Sequence, residues 1–173
     1  PNPIAEARQL AITAQAEFLF DITEGDLQSK KGIPGLMNMF GRNDEIDTRK
    51  ISLYLGSAID FQTKAADKEA ADQLKKAIDE GVNIPAVYFN LGYLYLNLGK
   101  EDQGLKNIQN AINTPEYALA SYLLIGEYWV DRGNLKEAVA QYARALREAD
   151  VAVIDSKWKN ELRDTYEIVI EEL

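Results

Sequence analysis

The sequence contains no cysteine and no histidine. Without a thiolate or an imidazole, the chain lacks the ligands of a Cys₂His₂ or Cys₄ zinc site and of a haem, and it lacks the bases of Ser-His-Asp and Cys-His nucleophile pairs. It also forms no disulfide. We therefore expect no metal site, no cofactor and no catalytic residue, and we predict that the protein is not an enzyme and that its function is binding.

Basic residues are fewer than acidic ones, with 19 Lys and Arg against 28 Asp and Glu and a net charge of −9. Affinity for nucleic acid comes largely from Lys and Arg side chains that neutralise phosphates. The closest basic pairs, Lys30-Lys31 and Lys75-Lys76, are diluted by neighbouring acids or glycines. The charge pattern therefore predicts no nucleic-acid partner.

Long apolar runs are also absent, since no stretch approaches the roughly 20 consecutive apolar residues that span a bilayer. The first residues, PNPIAEARQL, lack the pattern of a signal peptide. We expect no membrane insertion, and the compartment stays open with the cytoplasm slightly favoured. Because the sequence begins at Pro1 without a methionine, we interpret it as a processed or excised fragment. Its 173 residues, 46% of them hydrophobic, suffice for about one domain with a core.

Carboxylate clusters are the remaining candidates for catalysis. Asp44, Glu45 and Asp47 directly precede a predicted helix start, where acids act as caps and dipole partners. No segment has the spacing of acids, glycine and glutamate that a calcium loop needs. We interpret the carboxylates as structural.

Residues 48–173 are almost continuously helical in pattern, because apolar residues recur at spacings of three and four. Gly81, Gly99 and Gly133 fall at predicted helix ends, and Pro85 and Pro115 fall at predicted starts. The short links between the helices predict hairpins of sequential helices. The predicted helices are 48–64, 67–80, 85–98, 101–113, 115–132, 135–149 and 153–172.

The helical region repeats itself with a period of 34 residues. Gly92 aligns with Gly126, and Ala111 aligns with Ala145. Small residues at these positions predict that two helices approach closely. Further aligned pairs are Tyr88 and Tyr122, Leu91 and Ile125, Tyr95 and Trp129, Gly99 and Gly133, Gly104 and Ala138, and Ile108 and Tyr142. An earlier, degraded copy contains Tyr54, Ser57, Ala58, Phe61, Ala65, Ala70, Leu74 and Ala77.

These units resemble the tetratricopeptide repeat family, whose signature places Leu-Gly three residues after a large residue and Tyr three residues later. The run FNLGYLY at 89–95 fits, as do Ile125-Gly126 and Trp129. The resemblance implies an all-α fold, a right-handed α-solenoid of antiparallel helix hairpins with about three repeats and a C-terminal capping helix. Departures from the signature are Ser57-Ala58, Gly104 and Pro115. The expected boundaries are 1–47 for an N-terminal helix and apolar loop, 48–84, 85–118 and 119–152 for the three repeats of 48–152, and 153–173 for the capping helix.

The resemblance further implies a concave groove, lined by the first helix of each repeat, that holds extended or helical peptides. We therefore predict a non-catalytic protein-protein interaction module that binds a protein or peptide partner, mainly by apolar and aromatic contacts. The positions with which related proteins grip a C-terminal carboxylate carry no cation here, so such a clamp is not expected. The predicted partner-binding residues are Leu55, Ile59, Phe89, Asn90, Tyr93, Asn97, Leu123, Leu124, Glu127 and Asp131.

An alternative stays open, in which the chain is a self-assembly or structural element. Its groove is then filled by its own apolar N-terminal stretch from Ile33 to Phe40, or a helix from Ile4 to Ile22 stacks on the first repeat as an extra layer. The residues expected near one side of that helix are Leu10, Thr13 or Ala14, Glu17 or Phe18, and Asp21 or Ile22. A second copy of the chain, in a weak homo-oligomer, is another occupant. A third interpretation is an accessory unit of an enzyme whose chemistry lies on a further domain.

Two more apolar patterns predict buried surfaces. A stripe along the C-terminal helix predicts that this helix covers the core of the preceding repeat. The aromatic residues that recur in the repeats predict core positions. The stripe is formed by Trp158, Leu162, Tyr166, Val169 and Leu173, and the aromatic positions are Tyr54, Phe61, Tyr88, Tyr95, Tyr122, Trp129 and Tyr142.

Overall fold

The computed structural model describes residues 2–28 and 47–173. Within these ranges the chain is all-α and contains no β-strand, which confirms the predicted class. The helices are α1 (Pro3–Gln28), α2 (Thr48–Thr63), α3 (Asp67–Asp79), α4 (Pro85–Asn97), α5 (Glu101–Ala111), α6 (Pro115–Asp131), α7 (Leu135–Val153) and α8 (Lys159–Glu171), with a 3₁₀ turn at Ser156–Trp158. The apolar stretch from 33 to 40 and two of the predicted capping acids, Asp44 and Glu45, lie outside the described residues.

The helix boundaries follow from the residues that the sequence places there. The Asp47 side chain accepts a hydrogen bond from the backbone N–H of Lys50 at 3.2 Å and so caps α2. Pro85 and Pro115 occupy the first turns of α4 and α6. Backbone N–H groups there have no acceptor within the helix, so a proline loses no hydrogen bond. Gly99 follows α4 with a φ of 70°, a left-handed conformation that favours glycine.

Two of the predicted helix ends are wrong. Helix α1 continues past Ile22 and through Gly25 to Gln28, because a single glycine inside a helix costs only about 1 kcal/mol relative to alanine. Helix α7 continues to Val153, where 153 was expected to begin the next helix. The break comes at Ile154, which is extended with a ψ of 155°, and Asp155 then caps the following turn by accepting from Lys157 N at 3.1 Å.

The cap of α7 gives a first testable prediction. The Asn134 side chain accepts a hydrogen bond from the N–H of Glu137 at 3.3 Å, whereas Thr114, at the same position before α6, makes no side-chain cap bond. We expect Asn134→Ala to lower the free energy of unfolding by about 1 kcal/mol and Thr114→Ala to change it by less than about 0.5 kcal/mol. Urea unfolding followed by circular dichroism measures both, and equal losses would contradict the role of the Asn134 amide.

The described residues group into two compact units. The first unit is Arg8–Asn110, and the second is Ala111–Leu173 together with Pro1–Ala7. In the first unit α2 packs against α3 and α3 packs against α4. Its core is formed by Phe18, Ile22, Ile51, Leu55, Ala58, Ala70, Ala71, Leu74, Ala77, Val82, Val87, Leu91, Leu94 and Tyr95.

The glycines of the 34-residue pattern lie where two helices touch. In the first unit, a Cβ at Gly92 would be 2.8 Å from both the side chain and the backbone nitrogen of Ile108. In the second unit, a Cβ at Gly126 would be 2.4 Å from the ring of Tyr142. Ile108 and Tyr142 are themselves a pair in the sequence alignment. The predicted close approach at the small residues is therefore confirmed in each unit.

In the second unit α6 packs against α7 and α7 packs against α8. Ion pairs join α8 to α7, because Glu167 of α8 pairs with the buried Arg147 and Arg163 of α8 pairs with Glu148 at 3.4 Å. The predicted stripe on α8 is only partly correct, since the buried residue is Ile170 and Val169 is exposed. Trp158 and Leu173 of the stripe are exposed as well, and of the recurring aromatics Tyr95 is buried while the others are half-buried.

Candidate functional site

Helices α2 and α4, which the sequence predicts to begin the first two repeats, present a wall that is apolar apart from two amide side chains. Helix α2 buries residues at spacings of four, three and four, which is one helix face: Ile51, Leu55, Ala58 and Gln62. Helix α4 buries Asn90 in the same manner among apolar neighbours. Gln62 and Asn90 are thus the polar groups that the wall must satisfy.

Helix α1 lies on this wall. Its buried residues within the first unit are Ala11, Gln15, Phe18 and Ile22, again on one face. Phe18 and Ile22 join the core of α2 to α4. A Cβ at Gly56 of α2 would lie 3.8 Å from Leu19 Cδ2, an ordinary contact distance. Of the residues expected near one side of this helix, Phe18 and Ile22 are buried, whereas Leu10 is exposed because the buried face passes through Ala11 instead.

Three amide side chains connect α1, α2 and α4 in one buried chain of hydrogen bonds, which we name the amide relay: Gln15, Gln62 and Asn90. Gln15 Nε2 donates to the backbone carbonyl of Ala86 at 3.2 Å. Gln62 Nε2 donates to Gln15 Oε1 at 2.9 Å, and Asn90 Nδ2 donates to Gln62 Oε1 at 2.7 Å. Gln15 and Asn90 are 0% exposed, so these bonds form where water does not compete.

Both ends of the amide relay are backbone carbonyls, which fixes its direction. Asn90 Nδ2 also donates to the carbonyl of Arg8 in α1 at 3.2 Å. A carbonyl only accepts hydrogen bonds, so the amide facing Ala86 and the amide facing Arg8 must each present nitrogen. Gln62, between them, can then be oriented in one way only.

Arg8 of α1 makes a further contact with α4. Its guanidinium carbon lies 3.9 Å from the centre of the Tyr93 ring, within the range of a cation-π interaction. The relay leaves two buried groups without a hydrogen-bond partner among the described residues, Arg8 Nε and Asn90 Oδ1. Buried polar atoms are usually paired, so this corner of the wall is the least satisfied part of the contact.

The predicted groove residues of the first unit are therefore covered to different degrees. Leu55, Phe89 and Asn90 are buried, Ile59 and Tyr93 are half-buried, and Asn97 is exposed. Asn90 and Tyr93 contact α1 directly.

Sequence reasoning missed Arg8 and Gln15, the two residues of α1 that bond to the wall. Gln15 follows Ala11 by four positions and precedes Phe18 by three, which is the spacing of a buried face. That spacing was the available signal, because a polar residue inside an apolar stripe needs a polar partner when the stripe is buried.

The second unit contains the remaining predicted positions, on α6. Leu124 is buried, Leu123 is half-buried, and Glu127 and Asp131 are exposed. Partial desolvation of its carboxyl raises the pKa of Glu127, and Asp131 one turn away raises that pKa further. At this end of α6 the neighbouring Asp131 therefore disfavours the charged form of Glu127.

Comparisons with known proteins give no relative from which a function follows: no family model, no curated protein and no solved structure matches this chain. The described residues contain no group of three or more acidic side chains placed to hold a metal ion. Among the described helices, none is both long enough and apolar enough to cross a membrane.

Proposed function

We propose that this chain is a non-catalytic protein-interaction module whose wall on α2 and α4 binds an amphipathic helix. In this proposal α2 to α7 form three tetratricopeptide-like hairpins of a right-handed α-solenoid, and α1 is an internal occupant of the groove. The observation that carries the proposal is the amide relay together with the Arg8–Tyr93 stack, because it is a helix bound by groove residues.

The bound α1 supports a description of the ligand that the wall prefers. An apolar face with one central amide matches Gln62, and a cation one to two turns earlier matches the ring of Tyr93. The partner is then a helix of the pattern that α1 shows at Arg8, Gln15, Phe18 and Ile22. On α6 the exposed acids Glu127 and Asp131 favour a basic segment.

Binding of such a helix to the wall can be measured with α1 itself as the probe. We expect a fluorescently labelled peptide of residues 2–24 to bind the full chain that carries Phe18→Ala and Ile22→Ala, because these changes remove the apolar anchors of the resident helix. Fluorescence anisotropy should give an affinity at least about tenfold higher than for the unchanged chain, since a competitor that is already bound lowers apparent affinity.

The matched control is the pair Leu10→Ala and Phe20→Ala, on exposed positions of the same helix. We expect this variant to bind the peptide as weakly as the unchanged chain. Adding Asn90→Ala to the Phe18 and Ile22 variant should weaken peptide binding, because the amide that receives the helix is lost. Gln15→Ala serves as a milder way to loosen α1 if the double variant is not helical by circular dichroism.

The alternative function, a structural element with a permanently filled groove, is favoured by the burial of Gln15 and Asn90. It predicts that the loosened variants ignore the peptide while they stay helical. It also predicts that the backbone amides of α1 exchange with solvent only when the whole first unit unfolds. Exchange of α1 before that unfolding supports the interaction module instead.

A further inference from the structure

Helix α7 in the second unit carries an apolar stripe that faces solvent, which we name the α7 stripe: Leu135, Val139, Leu146 and Val153. These residues recur at spacings of four, seven and seven and so share one face of the helix. Their exposures are 64%, 48%, 56% and 86%. A continuous exposed apolar face on a helix is typical of an interaction surface.

Neither neighbour of α7 covers this stripe. Helix α6 reaches this face only at Tyr142, whose half-buried ring meets Gly126, and it leaves the four stripe residues exposed. Helix α8 is attached through the ion pairs of Arg147 with Glu167 and of Glu148 with Arg163, which lie on another side. The stripe is therefore left without a partner inside the second unit.

The equivalent face in the first repeat is covered. Two periods of 34 residues before Val139 and Leu146 lie Ala71 and Ile78 of α3. Ala71 is buried, Ile78 packs against the core of the first unit, and α3 packs against the following helix, α4. The same positions of the 34-residue pattern are thus covered elsewhere in this chain.

We propose that the α7 stripe pairs with the α7 stripe of a second copy of this chain, in an antiparallel arrangement about a two-fold axis near Ala143. Ala143 lies between Val139 and Leu146, and its small side chain lets two helices approach. The axis brings Val139 of one copy towards Leu146 of the other, as a self-complementary interface requires.

The charges of α7 favour a copy of itself over a partner of strong charge. The helix is neutral, with three basic and three acidic residues, in a chain of net charge −9. Lys136 and Asp150 flank the stripe at its opposite ends, so the antiparallel arrangement places Lys136 of one copy near Asp150 of the other. The residues are Lys136, Arg144 and Arg147, and Glu137, Glu148 and Asp150.

The interface is small. Four apolar side chains on one helix bury less than the about 800 Å² per partner of a standard interface, so the dimer should be weak and should depend on concentration.

Sedimentation equilibrium of the full chain tests the surface. We expect the mass to rise above the 19.4 kDa of one chain between about 10 μM and about 500 μM protein, the range of a weak association. Val139→Asp with Leu146→Asp should keep the chain monomeric, with a dissociation constant raised at least about tenfold. Ile168→Asp with Val169→Asp, on exposed positions of α8, is the matched control and should leave the association unchanged. A monomer at both concentrations, or an association that only the α8 variant abolishes, would overturn the proposal.

The absence of cysteine makes the axis itself testable. A single Ala143→Cys gives one thiol per chain, and a disulfide forms only when two Cα atoms come within about 7 Å. We expect mild oxidation to give a covalent dimer with Ala143→Cys and little with Ala152→Cys, an exposed position of α7 away from the stripe. Equal yields, or a higher yield at position 152, would contradict the arrangement. All these variants lie outside the first unit, so their outcome is independent of the proposed groove function.

Discussion

Gln62→Ala is expected to lower the free energy of unfolding by about 2–4 kcal/mol, the largest effect of any single change outside the apolar core. Gln62 is the middle of the amide relay and bonds to Gln15, to Asn90 and to the carbonyl of Ala58 at 3.1 Å. Its removal leaves Gln15 Oε1 without a donor and removes the acceptor of one hydrogen bond from Asn90. It also opens a space between α1 and the wall. Chemical unfolding monitored by circular dichroism gives the difference.

The control for this change is Gln103→Ala, an exposed glutamine of α5. We expect it to change stability by less than about 0.5 kcal/mol. A double-mutant cycle between Gln15→Ala and Gln62→Ala separates the hydrogen bond from the lost packing and should give a coupling of about 1–3 kcal/mol. Additive effects of the two changes would contradict a direct bond between these side chains.

Gly92→Ala is expected to destabilise the chain by about 1–3 kcal/mol. The added methyl would lie 2.8 Å from the backbone nitrogen of Ile108, which cannot rotate away, so α4 and α5 would have to separate. Alanine is the better helix former, but the gain of about 1 kcal/mol does not offset such a clash. Thermal unfolding of the two chains measures the result.

Gly56→Ala is the matched control, and its expected effect has the opposite sign. A methyl there meets only Leu19 Cδ2, at the ordinary contact distance of 3.8 Å. The change should therefore stabilise the protein by about 0.5–1 kcal/mol through the lower entropy of the unfolded chain. Stabilisation of both glycine variants would contradict the close contact of α4 and α5 at Gly92.

The sequence predicts the local organisation well because the signals are local. Glycines after helices and prolines in first turns are read from a few residues, and they gave the bounds of α2 to α6 to within about two residues. The 34-residue period aligns Gly92 with Gly126 and Ile108 with Tyr142, and the structure places Gly92 against Ile108 and Gly126 against Tyr142. Periodicity predicts which residues are equivalent, and sterics then predict what they touch.

The attachment of α1 could not be predicted in this way. Gln15 bonds to residues 47 and 71 positions away in the chain, and no local spacing encodes such partners. An apolar pattern assigns a glutamine to solvent, so Gln15 is not predicted on the buried face of α1. The predicted stripe on α8 is partly wrong for a related reason. The ion pairs of Arg147 with its acidic partners orient α8, and Val169 is exposed.

The fixed direction of the amide relay determines the register in which α1 packs on the wall. Apolar contacts tolerate a slide of one helical turn, since Ala11 and Leu19 lie one turn on either side of Gln15. Neither of these side chains accepts a hydrogen bond, so a misaligned helix would strand the donors of Gln62 in a dry environment. Apolar contacts alone would allow several registers of α1 on the wall. One amide selects a single register, as a lone asparagine does in a coiled coil.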